Sequence, residues 1–169
     1  MYFSNLVNVH KYLLGINVNE GINKYFPNYY VEWIKNDENH DNLRIYQIEN
    51  WWFWSTKKLI GAVDLVLKPE NKILNIPFWF CNDENTCNKL FGGKEIFGKP
   101  IDYVTSNNIK KILFDYAEYF AKIKNCNILQ RDVHNSLREF NDDIKHLGFK
   151  LNGQKASDNS AWLQSFKEI

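Results

Sequence analysis

The apolar residues of this chain follow two different periods, and the change between them marks its organisation. The steadiest pattern is at residues 107–123, where Ile109, Ile112, Leu113, Tyr116, Ala117 and Phe120 fall on one helical face. Lys110, Lys111, Asp115, Glu118 and Lys122 take the remaining faces, with Glu118 and Lys122 paired one turn apart. A second helix is predicted over 136–147. Ser136 and Glu139 have capping-box spacing, Leu137, Phe140, Ile144 and Leu147 share a side, and Gly148 supplies a left-handed stop after Lys145 and His146. Between the two helices, 128–133 reads as a strand. After a turn near Asn152 and Gly153, 161–166 reads as another.

Upstream the period shortens. Residues 43–48, 51–56 with a continuation at 59–67, and 73–80 read as strands, and Lys57-Lys58 and Pro69-Glu70-Asn71 fall where tight connections are needed. That arrangement predicts an antiparallel meander. The first quarter is irregular. Leu6, Val9 and Leu13 predict a short helix over 4–14 that stops at Gly15, a second helical stretch ends before Pro27, and 36–42 reads as an exposed polar loop. Residues 82–104, with Gly92, Gly93 and Gly98, read as a long loop or insertion with a possible strand at 101–104. The order predicts a single α/β (α+β) domain over 1–169, with a right-handed βαβ unit in its second half.

Composition narrows the partners. With 169 residues, 44% hydrophobic and 24% charged, the chain can bury its own core. A net charge of +1, and no stripe of Lys and Arg among the aromatic clusters, point away from nucleic acid and from membrane surfaces. Residues 1–14 carry neither the basic head nor the apolar run of a leader, so a cytoplasmic location is expected. Cys81, Cys87 and Cys126 are odd in number and lack Cys-x-x-Cys spacing, which predicts reduced structural thiols and no metal site. Aromatic residues reach 16% and cluster at 25–33, 51–54 and 78–80, enough for a sheet core with a surplus to line a pocket.

One stretch is more specific. The strand ending Asp132-Val133-His134, the helix closing Ile144-Lys145-His146-Leu147-Gly148-Phe149 and the preceding helix with Asp115-Tyr116-Ala117-Glu118 resemble, in order and spacing, the C-terminal half of the GNAT superfamily of acyl-CoA N-acyltransferases. The resemblance covers residues 101–166, and more weakly Leu59-Ile60-Gly61-Ala62-Val63. It implies a mixed, mostly antiparallel sheet with helices on both faces. It also implies acetyl-CoA or coenzyme A as cosubstrate, and acetyl transfer by direct attack of a small-molecule or peptide amine. The family's glycine-rich phosphate turn maps onto Thr105, Ser106, Asn107, Asn108, Ile109 and Lys110. Both small residues are gone, Asn108 and Lys110 standing in their places, so the turn is eroded. A helix N-terminus offers unpaired N–H groups to phosphate, and Thr105, Ser106 and Asn107 add donors. Ile144 and Leu137 replace a tyrosine and an asparagine that the family often carries. Acyl transfer needs a base for the amine, and the candidates are Asp102, if 101–104 is the central strand, and His134. A second alignment makes 73–80 the central strand and 82–104 an insertion, which removes Asp102 from that place. A GNAT-like binding or interaction module without catalysis, and an unrelated α/β protein with an aromatic pocket, are the alternative readings. No feature of the sequence sets the oligomeric state.

Overall fold

The computed structural model describes residues 29–50, 52–134, 147–155 and 162–169. They form a seven-stranded sheet from β1 (Tyr29–Lys35), β2 (His40–Asn50), β3 (Ser55–Lys68), β4 (Ile73–Cys81), β5 (Ile128–His134), β6 (Lys150–Lys155) and β7 (Trp162–Glu168). The spatial order is β1-β2-β3-β4-β5-β7-β6. All neighbours are antiparallel except β4 and β5, which run parallel. Parallel strands need a long crossover, and this one carries helices α1 (Glu84–Phe91) and α2 (Tyr103–Ile123). The α/β class and the βαβ unit are therefore as the sequence predicts.

Several local expectations change. The first strand, Tyr-Tyr-Val-Glu-Trp-Ile-Lys, lies in the stretch read as irregular, and its aromatic and β-branched residues suit the edge position it takes beside β2. The loop over 36–42 is shorter than expected, because Asp41 and Asn42 are buried in β2. No strand covers 52–54, and Lys57 and Lys58 sit inside β3 opposite Ile48 and Gln47. Register decides this: Val63 and Leu65 must face the core, which moves the hairpin tip onto the aromatic residues. Pro69–Asn71 form the expected tight connection, a 3-10 turn closed by Lys72 at φ 52°. The possible strand over 101–104 is reduced to a single bridge between Asp83 and Ile101, so β4 is the central strand, as in the second alignment. Helix α2 begins at Tyr103, earlier than its apolar stripe suggests, because Asp102 caps it. Asn152 and Gly153 lie within β6, whose pairing with β7 is irregular between Leu151 and Lys155. The helices expected over 4–14, before Pro27 and over 136–147 lie outside the described residues.

Helix α2 lies across one face of the sheet, and the core fills the space between them. Leu43, Ile45, Val63, Leu65, Leu74 and Ile76 from the strands meet Ile109, Leu113, Tyr116, Ala117 and Phe120 from the helix. Trp79 packs edge-on against Phe114, ring centres 5.5 Å apart, and Phe114 against Phe149 at 5.3 Å. The closest approach is at Gly61 on β3, where a Cβ would stand 2.5 Å from Ile109 Cγ2. That methyl sits on a β-branched residue in a helix, with essentially one side-chain rotamer, so it cannot swing aside. Gly61→Ala should lower unfolding free energy by about 1–3 kcal/mol in urea titrations. In an Ile109→Ala background the same change should cost distinctly less, and equal costs in both backgrounds would show that the contact is not limiting.

Candidate functional site

The central strands part company. β4 and β5 pair only over Ile73↔Ile128, Leu74↔Leu129 and Asn75↔Gln130, although both strands continue. On its other side β4 carries a bulge: Val66 faces Asn75 and Asp64 faces Phe78, so Ile76 and Pro77 together stand opposite Leu65. Pro77 has no N–H to give to a ladder, and an extra residue bends and twists the strand that holds it. The bend falls where pairing to β5 ends, and β5 beyond Gln130 follows β7 instead. The result is a wedge between two parallel strands. One side is the β4 segment from Ile76 to Cys81, with no strand among the described residues paired to it across the gap.

At the end of that segment lies an open cleft of about 680 Å³ between α1 and the start of α2, lined by Asp83, Glu84, Asn88, Asp102, Ser106 and Asn107 among others. Its floor is a buried polar cluster. Asp83 caps α1 by accepting from the Thr86 N–H at 2.8 Å, accepts from Ser106 Oγ at 2.7 Å, and forms an ion pair with Lys110 Nζ at 2.7 Å. Burial pushes the Asp83 carboxyl up, but the hydrogen bonds from Lys110, Ser106 and Thr86 outweigh it and hold the group below the usual carboxylate range. Cys81 Sγ lies 3.5 Å from Ser106 Oγ, tying the cluster to β4. Asp102, on the exposed lip, accepts from Thr105 Oγ1 at 2.6 Å and from the Thr105 N–H at 3.0 Å. Those bonds lower its carboxyl as well.

The six residues mapped to a phosphate turn therefore form the first turns of α2. Asp102, Ser106, Asn107 and Lys110 come together at the cleft. Thr105 is engaged by Asp102, Asn108 points outward exposed, and Ile109 is buried against Gly61 in the core. His134 is the last residue of β5, its backbone opposite Trp162.

A third group was not singled out from the sequence. Asp64 lies one residue from Val63 and Leu65, so it faces away from α2, beside Phe78 just past the bulge. Asn42 Nδ2 donates to Asp64 Oδ1, Arg44 Nε donates to Asn42 Oδ1 at 3.2 Å, and Tyr46 OH donates to Glu32 at 3.0 Å. Burial raises the Asp64 carboxyl, while the positive fields of His40 and Arg44 oppose the rise. The alternation Asn42, Arg44, Tyr46 was a readable signal for a polar sheet face, and Pro77 inside a central strand was one for the bulge.

Lys110→Met should destabilise the fold by about 3–5 kcal/mol, since it leaves a buried carboxylate without its cation. The pair Asp83→Leu with Lys110→Met should recover much of that in guanidinium unfolding. Because the Asp83 pKa is depressed, its contribution is full at neutral pH. The gap in stability between the native chain and Asp83→Asn should close as pH falls through that lowered value.

No protein-family model matches the chain, and no curated protein matches it in sequence. Solved structures do match. Nourseothricin acetyltransferase is similar at 15% identity and a TM-score of 0.51, covering 80% of this chain and 68% of its own. The PaiA N-acetyltransferase from Thermoplasma acidophilum, in complex with coenzyme A, is similar at 15% identity and a TM-score of 0.50, covering 78% of this chain. This chain spans 62% of that protein, less than two thirds of its length. With its parted central strands, the crossover helix between them and this likeness in structure, the chain has the GNAT N-acetyltransferase fold.

Proposed function

We propose that the chain is an acyl-CoA-dependent N-acyltransferase that moves an acetyl group from acetyl-CoA to a small-molecule or peptide amine. The observation that carries this reading is the wedge between β4 and β5. An extended thioester arm can lie along the edge of β4 that faces the gap, where a backbone N–H can polarise its carbonyl. The amine nitrogen attacks that carbonyl carbon, the C–N bond forms, the C–S bond breaks, and the departing thiolate takes up a proton. Holding both substrates in the wedge supplies most of the acceleration, and a base takes the proton that the amine loses.

Asp64 is the base that this geometry favours. Its raised pKa brings it nearer to neutrality than an ordinary carboxylate, and it stands beside the parted segment of β4. Asp102, with its carboxyl lowered and held by Thr105, suits capping rather than proton abstraction. His134, at the end of β5, is the second candidate. Phosphates of the cosubstrate would approach the start of α2 near Thr105, Ser106 and Asn107. There they meet the carboxylate of Asp102, while Lys110 is engaged with Asp83. That last observation favours the alternative, a GNAT-fold module that binds a partner without catalysis.

Thermal unfolding separates the two readings. Acetyl-CoA at about 100 times its dissociation constant should add roughly 2.7 kcal/mol to folded-state stability. That is a rise on the order of 5 to 10 °C for a domain of this size. No rise with acetyl-CoA or coenzyme A leaves the module. With a working cofactor site, Asp64→Asn should lower kcat/KM by about 10²- to 10⁴-fold and remove the limb of the pH profile that climbs with Asp64 ionisation. The variant should be at least as stable as the native chain at neutral pH. A carboxyl raised in the fold loses its stabilising contribution as pH rises above the ordinary carboxylate value.

A further inference from the structure

The β2–β3 hairpin outruns the sheet at one end. Among the described residues β1 reaches β2 only as far as Gln47, and β4 reaches β3 only as far as Gly61. Beyond both, Ile48, Glu49 and Asn50 pair with Lys57, Thr56 and Ser55 alone. At about 3.4 Å per residue this arm runs roughly 10 Å beyond the described part of β1 and the end of the β4 ladder. At its tip Trp52 is 96% exposed, Phe53 88% and Trp54 62%. Single exposed apolar residues are ordinary, whereas three consecutive aromatics at the apex of a projecting arm form a patch with a use.

The base of the arm is basic. Lys57 is exposed and lies over the Tyr30 ring at 3.9 Å, and Lys58 donates to the carbonyl of Lys99, itself exposed. Glu49, opposite Thr56, is the single acid in the arm's ladder.

We propose that residues 52–54 seat the protein peripherally on an anionic membrane surface, with Lys57, Lys58 and Lys99 as a basic collar. Three aromatic side chains bury at most about 450–750 Å² together, at about 150–250 Å² each. A stable protein interface takes about 800 Å² from each partner, so the tip alone is too small to hold a second copy. A bilayer needs no matching pocket. Tryptophan settles at the headgroup level with its ring among acyl chains, and lysines beside it gain on the order of fivefold each from an anionic surface. No helix among the described residues is long and apolar enough to cross a membrane. This inference does not depend on the acyl-transfer reading.

The test uses the full chain with phosphatidylcholine vesicles, with and without phosphatidylglycerol, followed by co-sedimentation and tryptophan emission. The native chain should partition onto the anionic vesicles with a blue-shifted emission, more weakly at high salt. Changing Trp52, Phe53 and Trp54 together to Ser should reduce partitioning at least about tenfold without lowering Tm, since these side chains are exposed. Lys57→Gln with Lys58→Gln should weaken binding to the anionic vesicles and leave the neutral ones little changed. Failure of the native chain to bind either vesicle, or unchanged binding by the triple variant, would overturn the proposal. So would a dimer in sedimentation velocity that the triple variant abolishes, since that assigns the tip to a second copy.

Discussion

The opening in the middle of the sheet coincides with one extra residue in a central strand. Ile76 and Pro77 stand together opposite Leu65, and the strand that carries them cannot keep step with both neighbours. It stays with β3, picking up again at Phe78, and leaves β5 after Asn75. Pairing lost on the β5 side opens a wedge in the middle of a sheet rather than at its edge, so exposed backbone becomes sheltered as well as available. β5 does not suffer, because β7 supplies an antiparallel partner along its whole length.

The wedge persists because helix α2 is fixed against both sides of it. Gly61 lets the helix approach β3 closely, Trp79 on the parted part of β4 packs on Phe114, and Lys167 of β7 donates to Glu118 of α2. The cluster of Asp83, Ser106 and Lys110 joins the end of β4 to both helices. This cluster also sets the character of the cleft. Lys110 is engaged with the carboxylate of Asp83, and the cap of α2 is itself an aspartate. Two carboxylates therefore stand at the start of α2, one of them neutralised by Lys110.

The sheet also divides labour between its faces. The face under α2 is apolar and fully packed, whereas the other carries Asp64, Asn42, Arg44, Tyr46 and Glu32 in linked hydrogen bonds. A carboxylate whose burial raises its pKa lowers stability at neutral pH, and Asp64 carries that cost on the polar face.

The sequence by itself determined the elements with strong periodic signals: helix α2, strands β4, β5 and β7, the tight turn at Pro69–Asn71, and the α/β order that pointed to the fold. These are set by local propensity and by apolar spacing, which a single chain displays. The hairpin tip at 52–54 and the choice of central strand were decided by the tertiary structure. A register and a strand partner depend on which residues meet across space, whereas the start of α2 rests on a local cap, Asp102 on Thr105, that the apolar stripe does not display. Net charge carries no record of position either, and a total of +1 is compatible with lysines standing near the base of one arm. Asp64 falls within the strand read over 59–67, and pairing places it beside the bulge. That position depends on a neighbour across the ladder, and spacing along the chain carries no record of that neighbour.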